Sequence, residues 1–131
     1  MEYQEPYEND KANKKVAGAK YKIVTMCRGG QIRSVGAKYI LHYKYGHDVI
    51  ACGYESNTQE TREMLYDWAD YIIIMSKDFE QYVPDKYKTN SSGARKLYLY
   101  EVGEDRYGNP FHPELQWQLD KIINKHGLFN Q

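Results

Sequence analysis

Residues 21–43 read YKIVTMCRGGQIRSVGAKYILHY, and the fold turns on how this stretch is parsed. It opens with a β-prone run, residues 21–26, and ends in a helical pattern in which Ala37, Ile40, Leu41 and Lys44 fall on neighbouring turns. Between them lies Cys27-Arg28-Gly29-Gly30-Gln31-Ile32-Arg33-Ser34. A strand that feeds a glycine-containing loop and then a helix N-terminus makes an anion site, because free backbone N–H groups converge there and the helix dipole favours negative charge. Gly29 and Gly30 permit positive φ, which lets successive N–H groups point at one centre. Arg33 closes the loop with a planar, two-pronged donor suited to phosphate.

Cys27 turns this cradle into a reaction centre. The thiolate is the nucleophilic form of cysteine, and a helix N-terminus with a nearby arginine favours it. Ser34 is placed to give the sulfur a hydroxyl hydrogen bond. Residues 28–34, Arg28, Gly29, Gly30, Gln31, Ile32, Arg33 and Ser34, form the expected phosphate-binding loop. The nucleotide-binding pattern G-x-x-x-x-G-K-[ST] is absent. The competing reading is a buried, inert cysteine at a strand end beside a surface arginine.

The rest of the chain alternates in the same way. Residues 48–52 form a second apolar run, and Asn57 or Thr58 caps a helix through Trp68, with Thr61, Met64, Leu65 and Trp68 on its inner face. Residues 71–75, Tyr-Ile-Ile-Ile-Met, are continuously apolar and imply a strand covered on both faces. Ser76 caps a short helix over 77–82 that ends before Pro84, and 85–95 read as loop. A fourth strand is expected over 96–102, a loop over 103–112, and a last helix from Pro113 with Leu115, Leu119, Ile122, Ile123 and His126 as its apolar stripe, closed by Gly127. The expected fold class is α/β, a parallel sheet with helices on both faces. Ligands of such sheets bind beyond the carboxyl ends of the strands, where Cys27 lies.

Composition sets the bounds. The 131 residues carry 18 basic and 18 acidic side chains, so there is no global pull toward nucleic acid or an anionic membrane. The mean hydropathy of −0.83 and the lack of a long apolar run argue against a spanning helix. Residues 1–19 are polar and aperiodic and read as a flexible tail, and 20–131 as one domain. The N-terminus lacks the apolar core of a signal peptide, which points to the cytoplasm, and two cysteines fit reduced thiols there. His42, His47, His112 and His126 show no metal-ligand spacing and read as surface or helix-terminal residues, so no metal is expected.

The loop resembles that of the low-molecular-weight protein tyrosine phosphatases, whose signature C-x-G-N-x-C-R-S follows the first strand. Cys27, Gly29, Arg33 and Ser34 match; Gly30 stands in the place of Asn, and Ile32 in that of the second Cys. The resemblance covers almost all of residues 21–127. It implies a three-layer sandwich with a four-stranded parallel sheet of order 2-1-3-4. It also implies hydrolysis of phosphomonoesters, protein phosphotyrosine above all, through a cysteinyl phosphate and without any cofactor. The substrate would be a phosphorylated protein or a small phosphomonoester. Cleavage needs a proton for the leaving oxygen, and the resemblance points to Asp105 in Asp105-Arg106-Tyr107, where the family carries D-P-[YF]; Glu104 is the alternative. Arg106 in place of Pro loosens the loop and adds a positive charge beside the acid. Tyr54 and Tyr107 are candidates for flanking an aromatic substrate or for rim packing. Arg28, directly after the nucleophile, suits a more acidic substrate. Three other uses of such a loop are an arsenate reductase borrowing an external thiol, a phosphocarrier of sugar transport, and a phosphate-recognition module without catalysis. Cys52, at the end of the second strand, is a small buried residue or a redox partner that could meet Cys27.

Overall fold

The computed structural model describes residue 13, residues 16–104 and residues 106–130. Four strands form one sheet: β1 (Lys22–Cys27), β2 (Asp48–Gly53), β3 (Tyr71–Ile74) and β4 (Leu97–Leu99). Their order is β2-β1-β3-β4 and every pairing is parallel, the arrangement the resemblance implies. Helices α1 (Arg33–Tyr39), α2 (Gln59–Trp68) and α3 (Pro113–His126) flank it. All four residues of β3 are buried, as its unbroken apolar run requires of a strand covered on both faces. Ile72, Ile73 and Ile74 are each fully inaccessible, and each side chain contributes about 2 kcal/mol by leaving water.

Helix α3 follows its sequence pattern closely. Pro113 occupies the first turn, the Nδ1 of His112 accepts the Glu114 N–H at 3.1 Å, and Gly127 ends the helix at φ +76°. Leu115, Leu119 and Ile123 face the core. Helix α1 meets α3 at Gly36, where a Cβ would lie 2.9 Å from the Pro110 carbonyl oxygen; only glycine permits this approach.

Other elements depart from expectation. The helix after the loop is α only to Tyr39 and widens into a π turn over Ile40–Lys44. The short helix expected over 77–82 forms as a 3₁₀ helix, and residues 85–87, expected as loop, add a second 3₁₀ turn. Ser76 makes no side-chain cap; the carboxylate of Glu101 instead accepts the Lys77 N–H at 3.2 Å. The β4 ladder stops at Leu99, short of the expected 96–102. Helix α2 keeps only part of its expected inner face: Leu65 and Trp68 pack partly buried against the core, but Arg62 and Tyr66 are the buried residues, whereas Thr61 is exposed and Met64 is 66% exposed. Two polar-tipped residues do the packing, because each has partners for its polar end. Tyr66 donates its hydroxyl toward Met26 Sδ and the Tyr82 carbonyl, and Arg62 donates to the carbonyls of Tyr54 and Asn57. Thr58, one of the two capping candidates, is the N-cap and accepts the Thr61 N–H.

The expected tail over 1–19 falls largely outside the described residues. At Asn13 the side-chain amide donates to the Arg95 carbonyl at 2.6 Å and to the Tyr98 hydroxyl at 2.8 Å. No described helix is long and apolar enough to cross a membrane.

His47 is neither a surface nor a helix-terminal residue, contrary to expectation: it is fully buried. Its Nδ1 accepts the Tyr21 N–H at 3.1 Å, which leaves Nε2 to carry the proton donated to the Phe129 carbonyl at 2.7 Å. The ring thus joins the start of β1 to the chain beyond α3. Burial holds its pKa below the ordinary 6.5, outweighing the Phe129 carbonyl and Asp48, which pull upward. A depressed base binds its proton less readily folded than unfolded, so its contribution is intact above about pH 6.5 and is lost as pH falls from there toward the folded value. The urea midpoint is expected to drop between about pH 7.5 and about pH 5.5, and His47→Gln, which keeps a donor for Phe129, to flatten that drop. A His47→Gln profile as steep as wild type would assign the acid sensitivity to other groups.

Candidate active site

Cys27 is the last residue of β1, buried at 3% exposure, and Arg33 and Ser34 open α1. The hydroxyl of Ser34 lies 3.1 Å from Cys27 Sγ, within range to donate to a thiolate. Thr25 fixes this helix end by donating its hydroxyl to the Ser34 carbonyl at 2.8 Å. The Cys27 thiol, the Ser34 hydroxyl and Arg33 are therefore brought to one end of the sheet.

The loop between them keeps its shape by lying directly on the end of β2. Gly30 has φ +72°, and a Cβ there would come within 2.7 Å of the Cys52 carbonyl carbon and the Gly53 nitrogen. A Cβ on Gly53 would lie 2.4 Å from Gly29. Both must be glycine for the two backbones to meet. The connection after β2 then clips the loop in place. Tyr54 and Glu55 donate their N–H groups to the carbonyls of Cys27 and Arg28 at 3.1 and 3.0 Å, and Ser56 donates its hydroxyl to the Gly29 carbonyl at 2.8 Å. Asn57 completes the clip by accepting the Gly53 N–H at 2.9 Å. Sequence reading missed this second support; its signal was a glycine closing the strand that lies beside β1.

Arg33 lies deeper than a rim position, at 4% exposure, with its guanidinium 5.3 Å from the Phe79 ring centre. Its Nη1 donates to the Gly103 carbonyl at 3.0 Å. Buried Nε has no acceptor among the described residues. With Nη1 engaged, the edge left over is the Nε/Nη2 fork, the edge that grips an oxyanion in two-pronged fashion. An orphaned donor this deeply buried is costly unless a ligand satisfies it.

Arg28 donates from Nε to Glu55 at 2.8 Å, and both side chains are more than half exposed. Such a pair is worth little and is readily exchanged for another anion. Tyr54 is half-buried, stacked at 4.2 Å on Tyr82 beside the loop. Of its two readings, Tyr107 takes the packing one: at 4% exposure it packs inward, donating its hydroxyl to the Val102 carbonyl and accepting from Gln118 at 3.1 Å. It has no free ring face to offer a substrate. Asp105 lies outside the described residues; its neighbour Glu104 is exposed.

The two cysteines do not converge. In the parallel register Met26 pairs with Cys52, and Cys27 with Gly53. Side chains alternate along a strand, so Cys52 shares the face of Met26 and α2 while Cys27 faces α1. Burial, then the neighbouring Cys27, pushes the Cys52 thiol up to about 12, against the opposing pull of Arg62. A protonated, buried thiol on the opposite face is poorly placed to trap an oxidised Cys27. Among the described residues no group of three or more His, Cys, Asp or Glu is arranged to hold a metal ion.

A four-stranded parallel sheet of order 2-1-3-4, with a cysteine loop after its first strand, is the fold of the low-molecular-weight protein tyrosine phosphatases. Two solved structures of that family share it with this chain. The YwlE arginine phosphatase from Geobacillus stearothermophilus superposes with a TM-score of 0.53 at 17% identity, over 82% of this chain and 93% of its own. Wzb from Vibrio vulnificus, solved in complex with benzylphosphonate, superposes with a TM-score of 0.53 at 12% identity, over 82% and 99%. At these identities the likeness is one of fold. No family model matches the chain, and no curated protein is significantly similar to it in sequence.

Proposed function

We propose that the protein hydrolyses phosphomonoesters, with protein phosphotyrosine as the substrate class, through a cysteinyl-phosphate intermediate. The observation that carries this reading is the pairing of Cys27 with Ser34 at the start of a helix whose first residue, Arg33, is buried with no acceptor for its Nε among the described residues. The Cys27 thiolate attacks phosphorus, forming an S–P bond as the P–O bond to the leaving group breaks. Arg33 and the N–H groups of residues 28–33 hold the equatorial oxygens as charge spreads over them. Asp105, or Glu104, protonates the leaving oxygen. A water then attacks phosphorus and gives its proton to the same carboxylate, and the S–P bond breaks to release phosphate and thiolate. Tyr54, whose N–H bonds to the Cys27 carbonyl, would flank the substrate ring.

The other uses of the loop make different demands. Arsenate reduction needs a second thiol, and with Cys52 facing away from Cys27 an external one would have to supply it. A phosphocarrier has no use for an acid on the loop over residues 103–110. The test is hydrolysis of an aryl phosphate, a phosphotyrosine peptide and phosphoarginine, the last because one fold neighbour is an arginine phosphatase. Vanadate is expected to inhibit by occupying the cradle. A protein that binds vanadate but hydrolyses none of the three would be a phosphate-recognition module instead.

A further inference from the structure

The loop that carries the acid is fastened in a way the reaction does not by itself require. Arg106 and Glu114 form a two-pronged pair, Nη1 to Oε2 and Nη2 to Oε1, both at 2.8 Å. This joins the loop to the first turn of α3. The guanidinium also lies 4.7 Å from the centre of the Tyr107 ring, whose hydroxyl reaches back across the loop to the Val102 carbonyl. The Arg106 N–H also donates to the Glu104 carbonyl at 2.9 Å. At its other end the loop is held by Arg33, through the Gly103 carbonyl. The described residues that flank the two candidate acids in sequence, Gly103 and Arg106, are thus each fastened, one on Arg33 and one on α3.

As a contribution to stability the pair is minor. Its side chains are 53% and 45% exposed, and exposed ion pairs of this kind do little for the fold. Parallel two-pronged geometry is instead suited to fixing orientation. Resting on the phosphatase reading, we infer that Arg106 and Glu114 are positioning residues, a clamp that holds the acid-bearing loop against α3 so that its carboxylate meets the leaving oxygen. The loosening expected from an arginine at this place is thereby offset, and the charge of Arg106 is matched by Glu114 rather than left beside the acid.

The test compares the full chain with Arg106→Gln, Glu114→Gln and the double variant. With phenyl phosphate, kcat is expected to fall about tenfold or more in each single variant, since small misplacements of a catalytic group are costly. With an aryl phosphate of a very acidic phenol the loss should stay below about twofold, because that leaving group scarcely needs the proton. The double variant should be no worse than the poorer single one, as a pair acting as a unit demands. Vanadate affinity and melting temperature should hold, while amide hydrogen exchange rises in residues 103–107 alone. Equal losses on both substrates, multiplying losses, or unchanged exchange with an active wild type would each overturn the clamp. A wild type inactive on every phosphate ester would instead refute the phosphatase reading, and the catalytic purpose of the pair with it, even if exchange still responded.

Discussion

Cys27→Ser is expected to abolish turnover of aryl phosphates, by about 10⁴-fold or more, as removal of a covalent nucleophile does. Binding of vanadate should survive within about tenfold, because the cradle is built from other groups. The backbone of residues 28–33 keeps its shape through Gly30 on Gly53 and through the bonds from Tyr54, Glu55 and Ser56, none of which involves the sulfur atom. Arg33 keeps its anchor on Gly103. Serine is nearly isosteric with cysteine, so the site at 3% exposure accepts it without a cavity. A serine hydroxyl is a far poorer nucleophile than a thiolate unless a base activates it, and here its neighbour is another hydroxyl, that of Ser34. The measurement is steady-state hydrolysis alongside vanadate titration. Turnover near the wild-type rate would remove the cysteinyl-phosphate mechanism, and loss of vanadate binding together with turnover would mean that sulfur shapes the cradle itself.

Much of the architecture was legible because its signals are local. Ile72, Ile73 and Ile74 demanded a strand covered on both faces, and Pro113 and Gly127 bracketed α3. The loop of residues 27–34 was legible from its glycines, cysteine and arginine, whereas the 2-1-3-4 order came from the family resemblance. What escaped depended on partners distant in sequence. The inner face of α2 was misread because Arg62 and Tyr66 count as polar until the carbonyls that receive them are known. The sequence left Cys52 open between a small buried residue and a partner for Cys27 because it does not reveal register, and an offset of one residue moves a side chain to the other face. The sequence left Tyr107 open between flanking substrate and packing because its partner, the Val102 carbonyl, became available only when β4 ended at Leu99. The pull of Gly103 on Arg33 was equally invisible: a backbone carbonyl carries no sequence signature.

Asp105→Asn is expected to separate substrates by their leaving groups. Phenyl phosphate expels a phenolate that is a strong base, so without a proton donor its turnover should fall about 10²- to 10³-fold, within the usual span of general acid catalysis. An ester of a very acidic phenol should lose only a few-fold, since its phenolate departs unaided. The penalty should therefore track leaving-group pKa, a dependence that loss of folding or of phosphate binding cannot produce. Glu104→Gln is the matched control, since Glu104 is exposed on the same loop and its carbonyl accepts the Arg106 N–H through the backbone, which the substitution leaves in place. If Asp105 is the acid, Glu104→Gln should leave both substrates near wild type. Equal losses on the two esters in Asp105→Asn would make that residue structural. A leaving-group-dependent loss in Glu104→Gln instead would transfer the acid by one position, to a residue directly beside the Gly103 carbonyl that Arg33 holds.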